Sequence, residues 1–105
     1  MMRRLKRNAA IVHALYEAQP QRRRKILATC PSDLLLCIAD CAVNILKGNC
    51  RVDRRQRRVL AQHRHTLRRI RYETPQRIRA RLLRQHTGPL LSALLRPAVV
   101  ALNGF

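Results

Sequence analysis

Residues 32–47 read SDLLLCIADCAVNILK, and this stretch predicts the central helix of the fold. Ser32 can cap a helix through its hydroxyl, which leaves Asp33 in the first turn, where the helix dipole favours negative charge. The residues that follow are apolar on nearly every helical face, and Gly48 stands where a helix C-terminus favours positive φ. A helix that is apolar on most faces belongs in the centre of a bundle. It is too short and too polar to cross a bilayer.

The rest of the chain has apolar residues at helical rather than strand spacing. Asp53 and Gln56 have the spacing of a capping box at the start of a long helix. Thr74 followed by Pro75 is a favoured start for the next helix. The predicted helices are residues 3–19, 21–29, 33–47, 53–71 and 74–87. We therefore predict an all-α fold, a small bundle of four to five short helices with a central apolar helix.

A change of composition divides the chain into a basic helical domain, residues 1–87, and an apolar C-terminal tail, residues 88–105. The tail reads GPLLSALLRPAVVALNGF and carries one charge, on Arg96. It is too short, and too interrupted by Arg96 and Pro97, to be a dependable membrane span. Two readings stay open. The tail packs on the bundle as a last helix, or it joins copies of the protein or other partners through Leu90 to Leu102.

The strongest signal is charge, since 20 Arg and 3 Lys stand against 5 acids and give a formal net charge of +18. Such an excess disfavours a compact state unless a polyanion neutralises it. The guanidinium fork binds phosphate oxygens in pairs, which an ammonium does not do. We therefore expect a nucleic-acid partner. The candidate nucleic-acid-binding residues are Arg51, Arg54, Arg55, Arg57, Arg58, Arg64, Arg68, Arg69, Arg71, Arg77, Arg79, Arg81 and Arg84.

The form of nucleic acid follows from what surrounds these arginines. Base readout needs polar side chains aimed at base edges, and no recognition-helix pattern surrounds Gln56, Gln62 or Gln76. Single-strand binding needs aromatic rings for stacking, and only Tyr72 lies within the basic zone. The sequence thus favours binding to the backbone of double-stranded DNA without sequence preference.

Three alternatives stay open. A structural RNA-binding protein of ribosomal type would be equally basic. A membrane-active basic protein would lay residues 90–102 in the interface of an anionic bilayer. A helix-turn-helix regulator would show affinities that differ greatly between DNA sequences.

Metal binding and catalysis find little support. Among Cys30, Cys37, Cys41 and Cys50, only the spacing of Cys37 and Cys41 fits a zinc pattern, and it supplies half of the four ligands. Both of these cysteines also lie in the most apolar helix. Buried free thiols are the expected state. No paired carboxylates, glycine-rich phosphate loop or nucleophile motif occurs. We expect no enzyme activity, no metal, no cofactor and no small-molecule substrate.

Three segments resemble a small basic protein of Polinton/Maverick elements and their adintovirus relatives. They are PSDLLLCIADCAVNILKGN (31–49), DRRQRRVLAQHRHTLRRIR (53–71) and TPQRIRARLLRQHTGPLLSALLRPAVV (74–100). The resemblance runs from about Ile26 to Val100. The C-terminal end is also similar to the adenovirus mu-like core precursor, in which a basic segment precedes glycines and an apolar tail.

The resemblance implies a virion core protein that condenses or packages double-stranded DNA, located in the virion and the host nucleus. The sequence departs from the family pattern in two ways. Arginine replaces lysine almost throughout, which suits phosphate binding. The step Thr87-Gly88-Pro89-Leu90 replaces a Gly-Gly-Phe-Leu-Pro step, so a maturation cleavage that depends on those glycines is not implied for this chain.

Overall fold

α-Helices are the only regular secondary structure in the residues that the computed structural model describes, 2–72 and 76–103. The all-α prediction is therefore confirmed. The described residues hold eight helices instead of four to five. The helices are α1 (Met2–Arg7), α2 (Ala9–Glu17), α3 (Pro20–Thr29), α4 (Ser32–Leu46), α5 (Arg54–Gln62), α6 (Arg64–Tyr72), α7 (Gln76–Gln85) and α8 (Pro89–Asn103).

Two single-residue breaks account for much of the difference in number. The predicted helix 3–19 is broken at Asn8, where φ is −102° and ψ is 13°. The Asn8 amide donates to the backbone oxygen of Arg4 and to Asp33, which is how a short polar side chain competes with helical hydrogen bonding. The predicted helix 53–71 is broken at His63, where φ is −112° and ψ is 23°. The predicted helix start at residues 74 and 75 lies outside the described residues.

The local signals at helix ends have mixed outcomes. The Asp53–Gln56 capping box is confirmed, with Gln56 N donating to Asp53 Oδ1 at 2.8 Å and Asp53 N donating to Gln56 Oε1 at 3.1 Å. Gly48 has the positive φ expected after a helix, +75°. The cap predicted at Ser32 is wrong, because Ser32 is already the first residue of α4 and the N-cap is Pro31.

Two apolar helices of 15 residues, α4 and α8, form the centre of the bundle. α4 packs against α1, α6, α7 and α8, and α8 packs against α1, α2, α4 and α5. Their buried side chains include Leu34, Ile38, Leu91, Leu94 and Leu95. These side chains belong to one apolar cluster, to which each of the other described helices contributes at least one leucine. The predicted central helix thus has a second helix of the same length beside it.

The C-terminal tail belongs to this core. Leu90, Leu91, Leu94 and Leu95 are at most 2% exposed, so the described part of residues 88–105 packs on the bundle as a last helix. Among the described large apolar side chains, Val100 is the exposed one, at 58%. Self-association was one of the two readings of this segment, but most of its leucines are buried inside its own chain.

A buried arginine, Arg23, joins three parts of the chain. Its side chain is 5% exposed, and burial lowers the pKa of its guanidinium from the usual value. Nε and Nη2 donate to the backbone oxygens of Leu15 and Tyr16 at the end of α2, at 2.9 and 2.7 Å. Nη1 donates to the backbone oxygens of Thr87 and Gly88 before α8, at 2.9 and 3.2 Å. A single side chain on α3 therefore binds two carbonyls in the last turn of α2, which a helix C-terminus leaves without intrahelical donors, and two in the link before α8.

We predict that Arg23→Met lowers the free energy of unfolding by about 2–4 kcal/mol, because buried carbonyl oxygens lose their donors. Arg22→Met is the matched control, since Arg22 lies exposed on the same helix. Urea denaturation followed by far-UV circular dichroism measures both. Equal losses for the two variants would contradict the structural role of Arg23.

A cluster of charged residues fixes α1 on α4. Arg7 binds Asp33 through two hydrogen bonds, of 3.0 and 3.2 Å, and Asn8 donates to the same carboxylate at 2.9 Å. Arg4 pairs with Asp33 and Asp40. The hydrogen bonds from Arg7 and Asn8 hold the pKa of Asp33 below its usual value.

A carboxylate with a lowered folded-state pKa stabilises the protein above its unfolded-state pKa, about 4. This stabilisation is lost as the pH falls through the folded-state value. We therefore predict that Asp33→Asn lowers stability at pH 7, and that the difference from the unmodified chain shrinks as the pH falls from 5 toward 2.5. Denaturant titrations across this range measure the difference. A difference that does not change with pH would show that the charge of Asp33 is not its source.

Candidate nucleic-acid interface

Basic residues are segregated by helix. Five helices, α1, α3, α5, α6 and α7, each carry four Arg or Lys residues and no acid. α1 differs from the other four, which we call the basic helices, because two of its arginines pair with acids of α4. The acids Asp33 and Asp40 lie on α4 and pair with Arg4 and Arg7 of α1. Asp53, at the start of α5, uses its carboxylate in the capping box. Two of the four acids in the described residues are therefore engaged where α1 meets α4, and the other two, Glu17 and Asp53, also lie outside the basic helices.

The four basic helices are neighbours in the fold. α5 contacts α6, α6 contacts α7, and α7 contacts α3. Their apolar residues contribute to the core, whereas most of their basic side chains are exposed, and we call this set of exposed side chains the basic surface. Its exposed members are Arg22, Arg24, Lys25, Arg54, Arg55, Arg57, Arg58, Arg64, Arg68, Arg69, Arg77 and Arg81, with exposed Arg51 beside α5 and half-buried Arg71 and Arg84.

Arg79 corrects the sequence prediction. Its side chain is 3% exposed, and burial lowers the pKa of its guanidinium. Nε donates to the backbone oxygen of Ile70 at 2.9 Å, near the end of α6, and Nη1 donates to Gln76. Arg79 therefore binds a carbonyl at the end of a helix, as Arg23 does, and we remove it from the candidate interface.

Three members of the basic surface were missed at the level of sequence. Arg22, Arg24 and Lys25 lie exposed on α3 and join the surface because α3 packs against α7. Arg84 of α7 lies near the end of α3, where its charge partly opposes the burial that raises the pKa of the Cys30 thiol. The run RRRK at 22–25 is the feature of the sequence that could have identified them as basic candidates. That α3 packs against α7, however, is visible only in the tertiary structure.

Two histidines connect the basic helices. The rings of His63 and His86 meet edge to face with centroids 5.4 Å apart, which joins the α5–α6 junction to the residue after α7. Burial and the neighbouring His63 lower the pKa of His86. His86 is half-buried in this contact.

The cysteines are free thiols. Cys37 and Cys41 are buried, as predicted, and Cys30 and Cys50 are half-buried. Among the residues that the structure describes, no group of three or more His, Cys, Asp or Glu side chains is arranged to hold a metal ion. In the same residues, no helix combines the length and the apolar character that crossing a membrane requires.

Comparison of the chain with models of known protein families, with curated proteins and with solved structures finds no match. The resemblance to Polinton/Maverick and adenovirus core proteins therefore stands on the quoted motifs.

We predict opposite effects for two arginines of α7. Arg79→Met should lower the free energy of unfolding by about 1–3 kcal/mol, because a buried carbonyl loses its donor. Arg81→Met should leave stability within about 0.5 kcal/mol, because Arg81 is exposed. Arg81→Met should instead weaken binding to duplex DNA at temperatures where both variants are folded. Thermal denaturation and fluorescence anisotropy measure the two effects. The assignment of Arg79 fails if its variant is stable but binds DNA poorly.

Proposed function

We propose that this protein binds double-stranded DNA through the basic surface, without sequence preference, and condenses it. The observation that carries the proposal is the placement of four adjacent helices that together contain no acid. A surface of this kind attracts a polyanion and releases its condensed counterions. Arginine suits the task because its planar fork binds phosphate oxygens in pairs.

Contacts inside the protein support backbone binding over base readout. Two of the five glutamines on the four basic helices are already engaged, since Gln56 belongs to the capping box and Gln76 accepts from Arg79. Tyr16 is half-buried, and its hydroxyl accepts a hydrogen bond from Arg96 at 3.2 Å, so it is no stacking platform for bases. What remains available on the surface is mostly guanidinium groups, which suit phosphates.

The net charge of the protein is close in magnitude to the phosphate charge of a duplex as long as the molecule. Its longest dimension is 31 Å. At about 3.4 Å per base pair, that length of B-DNA is about nine base pairs and carries about 18 phosphates. The formal net charge of the chain is +18. A duplex covered end to end would thus be close to neutral, and a neutralised duplex can pack against others.

A role in a virion core, in the virion and the host nucleus, is the biological setting that we propose for this activity. It is supported by the sequence motifs shared with Polinton/Maverick and adenovirus core proteins. Condensation by charge neutralisation is also what packaging of a long duplex requires.

We predict that the protein binds unrelated 30-base-pair duplexes with affinities equal within about threefold, at about three copies per duplex, as its length and the rise of B-DNA imply. Affinity should fall about a thousandfold or more between 50 and 200 mM salt, because six or more phosphate contacts are released. Anisotropy titrations with two duplexes and one structured RNA measure this. Preference for the RNA, or for one duplex by orders of magnitude, would replace the proposal with an RNA-binding or a regulatory function.

A charge-matched pair of variants tests the surface itself. Arg58, Arg68 and Arg81 belong to the basic surface, whereas Arg3, Lys47 and Arg96 are exposed elsewhere. Replacing each set by Gln removes three charges. The first set should weaken DNA binding and reduce its salt dependence more than the second. Equal effects would mean that net charge acts without a defined surface. Leakage of anionic vesicles by the unmodified chain, with no DNA binding at physiological salt, would favour a membrane-active protein.

A further inference from the structure

An apolar recess lies beside the basic surface and is not explained by DNA binding. It has a volume of about 350 Å³ and lies between the end of α4, the link to α5, and the helices α5 and α6. Ile45, Leu46, Val52 and Leu60 form most of its apolar wall. The phosphate backbone of DNA offers no apolar group that would fill such a space.

Two arginines stand at the edge of this recess. Arg57 of α5 and Arg64 of α6 both line it and are both exposed, so their charged groups lie where the recess opens to solvent. They lie on either side of the break at His63, and because both line the recess they lie on the same side of the α5–α6 segment. The lining residues include no acid that would neutralise them.

An apolar wall with cations at its mouth has a definite chemical preference. The wall favours a hydrocarbon chain, since burial of apolar surface is favourable. The guanidinium groups favour a carboxylate, which they can bind through paired hydrogen bonds. The volume falls at the lower end of the range of small-molecule sites, about 300–1,000 Å³, which suits one short chain.

We propose that this recess is a binding site for an amphiphilic carboxylate, with its hydrocarbon chain in the recess and its carboxylate on Arg57 and Arg64. The sequence predicted no small-molecule substrate, and the site becomes visible only when the end of α4 and the α5–α6 segment are brought together. Binding of the carboxylate does not rest on the proposed function. If the protein also binds DNA as proposed, the ligand occupies two arginines of the basic surface, adds a negative charge there and so competes with DNA.

The first experiment compares three compounds on the full chain by isothermal titration calorimetry. Decanoate supplies both the chain and the charge, 1-decanol supplies the chain, and acetate supplies the charge. Decanoate should bind once per chain and saturate, with the other two at least about tenfold weaker, because each lacks one of the two contacts. Binding of many decanoate molecules per chain, or an affinity for decanoate no higher than that for decanol, overturns the proposal.

Variants separate the recess from the general attraction of a basic protein for anions. Ala61 is exposed and lines the recess, so Ala61→Phe should fill it and weaken decanoate binding about tenfold without changing the charge. Ala28 is an exposed residue of α3, so Ala28→Phe adds the same ring away from the recess and serves as the control. Unchanged binding by a folded Ala61→Phe variant, or equal losses in both variants, contradicts the site.

The charged half of the site has its own pair of variants. Arg57→Gln with Arg64→Gln should weaken decanoate binding about tenfold, whereas Arg22→Gln with Arg24→Gln, which removes equal charge from α3, should change it less than twofold. Equal losses overturn the proposed role of the two guanidinium groups.

A chemical readout reports on the recess directly. Cys50 lines the recess and is half-buried, so a bound chain should slow its alkylation by a maleimide. A Cys30→Ser background leaves Cys50 as the half-buried thiol, because Cys37 and Cys41 are buried. Decanoate should protect Cys50 at the concentrations that saturate the calorimetric titration. An alkylation rate that decanoate does not change overturns the placement of the chain.

A competition experiment keeps this proposal distinct from the DNA-binding proposal. Decanoate should displace a duplex from the unmodified chain but not from Ala61→Phe. Saturable decanoate binding in a protein that does not bind DNA would support the site and reject the proposed function. DNA binding with no decanoate binding would support the proposed function and reject the site.

Discussion

The buried guanidinium of Arg23 is the contact on which the arrangement of the helices depends. It lies on α3 and donates to carbonyls at the end of α2 and in the link between α7 and α8. A cation is tolerated there because carbonyls at helix ends carry partial negative charge and need donors. The contact places α3 beside α7, which extends the basic surface, and it fixes the entry of α8 into the core.

One residue type has three roles in this protein, and burial separates them. Arg23 and Arg79 are inside and bind carbonyls near the ends of other helices. Arg4 and Arg7 are at the surface and pair with acids of α4. The remaining arginines mostly face solvent on helices that lack acids, where their mutual repulsion disfavours the isolated fold and favours a polyanion partner. The charge for which we propose a DNA partner is thus arranged around a core that contains two fixed cations.

The α5–α6 segment connects the two proposed activities. Its break at His63 is held against the residue after α7 by the His63–His86 contact, and its basic side belongs to the basic surface. Arg57 and Arg64, on either side of this break, also border the apolar recess. A molecule in the recess and a duplex on the surface would therefore require the same two guanidinium groups, which couples one site to the other by simple charge competition.

The sequence by itself determined the all-α class, the apolar helix α4, the capping box of Asp53 and Gln56, and the positive φ of Gly48. These depend on periodicity and on hydrogen bonds between residues close in the chain, so they can be read locally. The tertiary structure alone decided that α8 packs in the core, that α3 belongs to the basic surface, and that the recess exists. It also decided that Arg79 is inside while Arg77 and Arg81 are outside. Composition says that an arginine is charged, but only the packing of its helix against a neighbour says whether that charge meets a buried carbonyl or solvent.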